Sequence, residues 1–142
     1  FGTVCGYTPF DGAEYDYYTT TKGVLEKVKA HVGDVDFAVQ PELVSLLSSR
    51  NFGRYADEKG EMKVCFISNN DITGGNSGSA MFNSKGELLG LAFDGNWEAM
   101  SSDILYEPKM QRTIGVDVRY ILFMIEKYGK AGNLIKELNI IN

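Results

Sequence analysis

The sequence predicts a mainly β fold with helices toward its C-terminal end. Three observations predict it. Short stretches rich in Val, Ile, Tyr, Thr and Phe recur between Gly- and Asn-containing turns. Sixteen of the 142 residues are glycine, which suits a turn-rich β domain. Apolar residues at helical spacing gather near the end of the chain, after one short helical stretch in the middle. With 44% hydrophobic and 12% aromatic residues, the chain has the material for a real core and not the composition of a disordered segment.

The elements follow in order. Residues Gly2–Tyr7 read as a strand, and the Tyr- and Thr-rich run Tyr15–Thr21 as another. Pro41–Ser48 reads as a short helix with proline in its first turn, where the missing N–H costs nothing. Lys63–Ser68 is a strand that leads into a glycine-rich loop. Ser79–Phe82 is a short strand, Asn83–Gly86 a hairpin turn, and Glu87–Phe93 a largely buried strand. Arg112–Val118 is expected to be the last strand. Arg119–Tyr128 places Ile121, Leu122, Ile125 and Tyr128 at helical spacing. Gly129 and Gly132 interrupt it, and Ala131–Leu138 supplies a further turn or two. Neither a repeat nor a linker is visible, so residues 1–142 are read as one domain with helices over 119–139.

Several function classes drop out. Nineteen acidic residues against 14 basic ones give a net charge of −5, which phosphate backbones would repel, so nucleic acid is not an expected partner. No apolar run approaches the roughly 18–20 residues of a membrane span. No Cys/His cluster has metal-ligand spacing, and neither a Walker loop nor a dinucleotide fingerprint is present. No cofactor or metal is expected. Cys5 and Cys65 either pair or remain two buried thiols; spacing alone does not decide between these.

The chemistry points to Thr73-Gly74-Gly75-Asn76-Ser77-Gly78-Ser79. The same residues make good turns. They also meet the demands on an acyl-transfer nucleophile: a hydroxyl on a tight bend, with backbone N–H groups converging on the developing oxyanion. Ser77 is the expected nucleophile; in chymotrypsin-type enzymes the nucleophilic serine and the glycine two residues before it supply the oxyanion-hole N–H groups, so likeness to them implies Ser77 and Gly75 here. A nucleophile loop followed by strand, tight turn and strand is the order of the C-terminal barrel in chymotrypsin-type peptidases.

The segments TGGNSGSAMFNSKGELLGLAFDGNWEAMSSDI and QRTIGVDVRYILFMIEKYGKAGNLIKEL strongly resemble the C-terminal part of the bacterial dipeptidyl-peptidase 7 and dipeptidyl-peptidase 11 family of serine exopeptidases. GTVCGYTPFDGAEYDYYTTTKGVLEK and NFGRYADEKGEMKVCFISNNDITGG resemble it too, so the match covers nearly the whole chain. One departure is Ala80-Met81-Phe82, where a proline-led strand start is more usual. The resemblance implies a chymotrypsin-like C-terminal β-barrel with C-terminal helices, and with the N-terminal barrel absent. Peptide substrates with a free N-terminus are then the expected partners, together with the missing N-terminal part of the same polypeptide and a second copy in a homodimer. A periplasmic or cell-surface location is implied in the same way.

The only histidine is His31, and its surroundings do not match the family's catalytic-histidine segment. It is expected to be a surface or loop residue, which leaves the catalytic His and Asp outside the chain. The resemblance puts the amine-binding aspartate at Asp94, an aromatic neighbour at Phe93 and the P1-specificity position at Gly95. Glycine there, where the dipeptidyl-peptidase 11 type has arginine, implies an apolar P1 pocket. Read alone, Asp94-Gly95-Asn96 is a strong turn. Trp97 is expected to be a packing residue, and Asp103 and Arg112 an ion pair. The competing function is a non-catalytic β-barrel module for binding or dimerisation, with a vestigial serine.

Overall fold

The computed structural model describes residues 1–101 and 107–141. The chain divides into two compact units: Phe1–Thr19 with Val64–Val118, and Thr20–Lys63 with Arg119–Asn142.

The first unit is a sheet structure. β1 (Tyr7–Phe10) and β2 (Ala13–Tyr15) form an antiparallel hairpin in which the Tyr7 and Tyr15 rings meet edge to face, 5.4 Å apart. A five-stranded sheet has the order β3-β4-β7-β6-β5, built from β3 (Tyr18–Thr20), β4 (Lys63–Ser68), β5 (Ala80–Phe82), β6 (Leu88–Gly95) and β7 (Thr113–Asp117). The β4–β7, β6–β7 and β5–β6 pairs are antiparallel. Among the described residues no pairing joins β3 to β5. The sheet's centre is unusually thin. A Cβ on Gly115 would lie 2.6 Å from Phe66 Cζ, and one on Gly90 would run into the Val116 carbonyl and stand 2.9 Å from Phe66 Cε1. The buried Phe66 ring therefore rests on two bare backbones, and only glycine permits that approach.

The second unit is mostly helical. α1 (Thr21–Ala30) and α2 (Pro41–Ser48) pack with α3 (Val118–Phe123), which continues into a π turn over Met124–Tyr128, and α4 (Gly132–Ile135) follows. Its core is a cluster of Leu47, Phe52, Tyr55, Met62 and Phe123, with Val24, Leu25 and Leu43 against it. The Phe123 ring centroid lies 5.7 Å from that of Phe52 and 6.1 Å from that of Tyr55, both edge to face. The Tyr55 hydroxyl donates to Glu126 Oε2 at 2.6 Å. Burial, and that carboxylate beside it, push the Tyr55 phenol up to about 12.

The mainly β character, α2 and the positions of strands β4 to β7 agree with expectation, but β6 is not largely buried: only Gly90 and Ala92 are, while Leu88 and Phe93 are exposed. The N-terminal strand does not. Residues 3–5 run beside β4 with one bridge, Val4 to Ser68, and regular pairing begins only at Tyr7. Tyr15–Thr21 is not one strand either. Asp16 bends the chain by accepting a 2.7 Å hydrogen bond from the Tyr17 N–H, and Thr21 already opens α1. That helix went unrecognised because only Val24, Leu25 and Val28 mark its inner face, beside a glycine. Gly132 starts α4 instead of interrupting a helix. Both cysteines are free thiols: Cys65 lies in β4, while the Cys5 N–H donates to the Ile67 carbonyl at 3.2 Å.

Candidate active site

The loop that carries Ser77 is built by two consecutive turns. The Asn76 N–H donates to the Thr73 carbonyl at 3.1 Å, and the Ser79 N–H to the Asn76 carbonyl at 2.9 Å. The Asn76 side chain reaches back, its Oδ1 accepting from the Thr73 N–H at 3.0 Å. Gly75 and Gly78 take φ of +95° and +85°, left-handed values that Cβ-bearing residues avoid. The loop is then clamped to β6: the Gly78 N–H donates to the Ala92 carbonyl at 2.7 Å, and the Ala92 N–H to the Ser79 carbonyl at 2.8 Å.

This clamp places Ser77 against the irregular end of β6. The register with β7 runs Ala92 to Gly115, then Asp94 to Ile114, so Phe93 is an extra residue in the strand. Such a bulge breaks the alternation of faces. Phe93 and Asp94 are accordingly both exposed, although they are adjacent. The same bulge leaves the Phe93 carbonyl to accept from Ser77 Oγ at 3.3 Å. Sequence reading singled out Phe93 for its ring and missed its carbonyl, because a bulge has no residue signature here.

Residues 73–79 are all exposed. The N–H groups of Gly75 and Ser77 make no hydrogen bond to protein among the described residues, whereas the intervening Asn76 N–H is occupied. The loop thus presents two unused N–H donors on either side of an occupied one. No base is hydrogen-bonded to Ser77 Oγ among the described residues. His31 belongs to the other unit, where it ends α1, hydrogen-bonds the Lys27 carbonyl through Nδ1 at 2.9 Å and stacks on Phe37.

Asp94 Oδ1 accepts from the Gly95 N–H at 2.8 Å, which is turn chemistry; its other oxygen has no hydrogen-bond donor among the described residues. Beyond Gly95 a polar network fixes the chain. Asn96 Nδ2 donates to Glu98 Oε2 and to the Met110 carbonyl, both at 2.8 Å, and Asn96 Oδ1 accepts from the Arg112 N–H at 2.8 Å. The Tyr7 hydroxyl donates to the same Glu98 oxygen at 3.1 Å, and burial, reinforced by that carboxylate, pushes its phenol up. The buried Arg112 guanidinium donates to the carbonyls of Pro108, Gln111 and Gly6 and lies over the Tyr7 ring. Arg112 is thus a brace of backbone carbonyls; its expected partner Asp103 lies outside the described residues. Trp97, expected to pack, is 81% exposed within these residues: the 3-10 turn Trp97–Ser101 turns Ala99 inward and the indole out. None of this network was foreseen, though the Asp-Gly-Asn turn signal marked its start.

Among the described residues, no group of three or more His, Cys, Asp or Glu side chains is arranged to hold a metal, and no helix is long and apolar enough to cross a membrane.

The peptidase S46 family model matches residues 1–140. Dipeptidyl-peptidase 7 of Porphyromonas endodontalis is 59% identical over 99% of this chain and 17% of its own length. An Asp/Glu-specific dipeptidyl-peptidase of Capnocytophaga gingivalis is 46% identical over 99% of this chain and 20% of its own. The crystal structure of Porphyromonas endodontalis DPP11 with the dipeptide Arg-Glu superposes with a TM-score of 0.90 at 43% identity, covering 96% of this chain and 19% of that one. The chain therefore spans a fifth or less of the length of these relatives. By the match of the family model over nearly its whole length, it belongs to the peptidase S46 family.

Proposed function

We propose that these residues are the nucleophile-bearing domain of a serine dipeptidyl-peptidase that removes dipeptides from free peptide N-termini and favours an apolar P1 residue. The observation that carries the reading is the pairing of an exposed Ser77 hydroxyl with two unused N–H donors, those of Gly75 and Ser77. Ser77 Oγ attacks the scissile carbonyl, and the new C–O bond pushes negative charge onto the carbonyl oxygen between those donors. The serine proton leaves to a base. The Phe93 carbonyl orients the hydroxyl but is no base, so the remaining four-fifths or more of the polypeptide supplies a histidine and its carboxylate. The acyl-enzyme forms as the leaving amine takes that proton, and water releases the dipeptide.

Asp94 is the amine partner. Its carboxylate is exposed beside Ser77's neighbour Phe93, and a free ammonium pairs with it through a charge-assisted hydrogen bond. Relatives with both kinds of name are similar to this chain, and one is called Asp/Glu-specific. Glycine at position 95 favours the apolar choice, since no cation stands there to pair with an acidic P1 side chain. In this reading the five-stranded sheet is the C-terminal barrel of a chymotrypsin-like pair, in a periplasmic or cell-surface enzyme. Exposed Phe82, Trp97 and Met100 favour cover from the rest of the polypeptide or from a second copy.

The test is active-site labelling of the full-length protein with a fluorophosphonate, then assay on Leu-terminated dipeptidyl amides with free and blocked N-termini. Label on the Ser77 peptide, with turnover of the free-amine substrate only, supports the reading. Label elsewhere, or equal turnover of the blocked substrate, refutes it. The 142-residue chain alone, without a base for Ser77, is expected to show no enzymatic turnover, and robust turnover abolished by Ser77→Ala would overturn that part of the reading.

A further inference from the structure

Gly95 ends β6 opposite Thr113. A Cβ built on it would stand 2.9 Å from the Ala99 Cβ, with Ile72 Cγ2 at 3.8 Å and the Arg112 carbonyl oxygen at 3.9 Å. Non-bonded carbons rest about 3.5–4.0 Å apart. The second two contacts are ordinary, and the first is an overlap. Any side chain leaving position 95 therefore starts in space that the Ala99 methyl occupies. The backbone is not the obstacle, because Gly95 is not among the glycines in the left-handed region.

Ala99 is also held in place. It is 9% exposed, and its N–H donates to the Asn96 carbonyl at 2.9 Å. Asn96 is itself fixed by its hydrogen bonds to Glu98, Met110 and Arg112. A residue larger than glycine at 95 must displace a braced turn or be turned away from its intended direction.

We propose that Ala99 is a specificity-determining residue, setting together with Gly95 what the P1 pocket accepts. The inference rests on the reading of Gly95 as the P1 position. Its content is that position 95 does not act alone. An arginine introduced there cannot settle toward an acidic P1 side chain until residue 99 gives up its methyl. The pair then works by exclusion as well as attraction.

The test uses the full-length enzyme and three variants, Gly95→Arg, Ala99→Gly and the double variant, with kcat/KM measured for Leu and Asp at P1. Gly95→Arg alone is expected to lose at least tenfold on Leu with little gain on Asp. Adding Ala99→Gly is expected to raise the Asp-to-Leu ratio at least tenfold further. A single variant that already reaches the double variant's ratio overturns the role of Ala99 and leaves the position-95 reading standing. Ratios equal to wild type in all three, with kcat/KM retained, overturn that reading and the inference with it. Should the arginine variants fail to fold, Gly95→Ala carries the same test with Phe at P1. It is expected to lose at least threefold in kcat/KM, and Gly95→Ala with Ala99→Gly to return within twofold of wild type. A double variant no better than the single overturns the proposal.

Discussion

The two units of this chain spend their residues differently. In the helical unit, five large side chains close on one another, and Phe123 and Met62 are fully buried. In the sheet unit, the seven residues Thr73–Ser79 are all exposed, and hydrogen bonds hold them: four between backbone groups, with the Asn76 and Ser77 side chains adding one each. One unit gains its order from apolar area removed from water. The Ser77 loop of the other gains it from geometry: turns, a bulge and glycines with φ near +90° at Gly75 and Gly78. Substitutions in the first should therefore be felt as lost stability, and substitutions in the second as lost chemistry.

The sharpest way to break that contrast is Ser77→Ala in the full-length enzyme. Loss of an acyl-transfer nucleophile costs roughly 10⁶-fold in kcat. The melting temperature should stay within about 1–2 °C, since an exposed hydroxyl bonded to one carbonyl at 3.3 Å contributes little. A large fall in melting temperature would mean that the loop carries stability after all.

The converse substitution is Phe123→Ala. Emptying the centre of the helical cluster should cost about 3–5 kcal/mol, read from denaturant midpoints. Activity per folded molecule should persist at low denaturant. If turnover collapses while the protein remains folded, the units are coupled and the contrast fails.

Asp94→Ala should remove about 1.5–3 kcal/mol of transition-state stabilisation on free-amine substrates, roughly 10- to 150-fold in kcat/KM. A blocked substrate should be cleaved as poorly as before. Unchanged kcat/KM on both would return Asp94 to a turn role.

The smallest effect concerns the Tyr55–Glu126 hydrogen bond. Tyr55→Phe should cost about 1 kcal/mol at neutral pH. The pH dependence has a defined sign. The Tyr55 phenol is raised to about 12 in the fold, so its contribution is complete below the unfolded value of about 10 and disappears as pH rises through about 12. Glu126 is lowered, first by the Tyr55 hydroxyl, so its contribution is present above the unfolded carboxylate value and disappears as pH falls through the folded one. Tyr55→Phe should flatten both limbs of a stability-versus-pH curve. Limbs as steep as wild type would assign them to other groups.

Legibility in the sequence followed the same division. β4, β6 and α2 were readable because burial imposes a period, and Pro41 marked a helix start. The Ser77 loop was readable because its bend requires glycines. α1 was not, with three apolar residues on its inner face and no side-chain cap at Thr20. The bulge at Phe93 was not, because it depends on how β6 meets β7 and not on any residue within it. Trp97 differs for a related reason: a large ring suggests a core, yet within these residues the turn it begins buries Ala99 instead. Local rules describe local pieces, and the site arises where two such pieces meet.

The thiol of Cys65, half-buried in β4, reports on its own surroundings. Burial pushes it up, with a smaller push from the charge of Asp117, against a hydrogen bond with Thr19 that pulls the other way. The thiolate that reacts with iodoacetamide is therefore scarcer at neutral pH than in a free thiol. Alkylation of Cys65 should run slower than that of a free thiol and quicken as the packing around β4 loosens, so one reagent reads the strand's surroundings within the unit that holds Ser77.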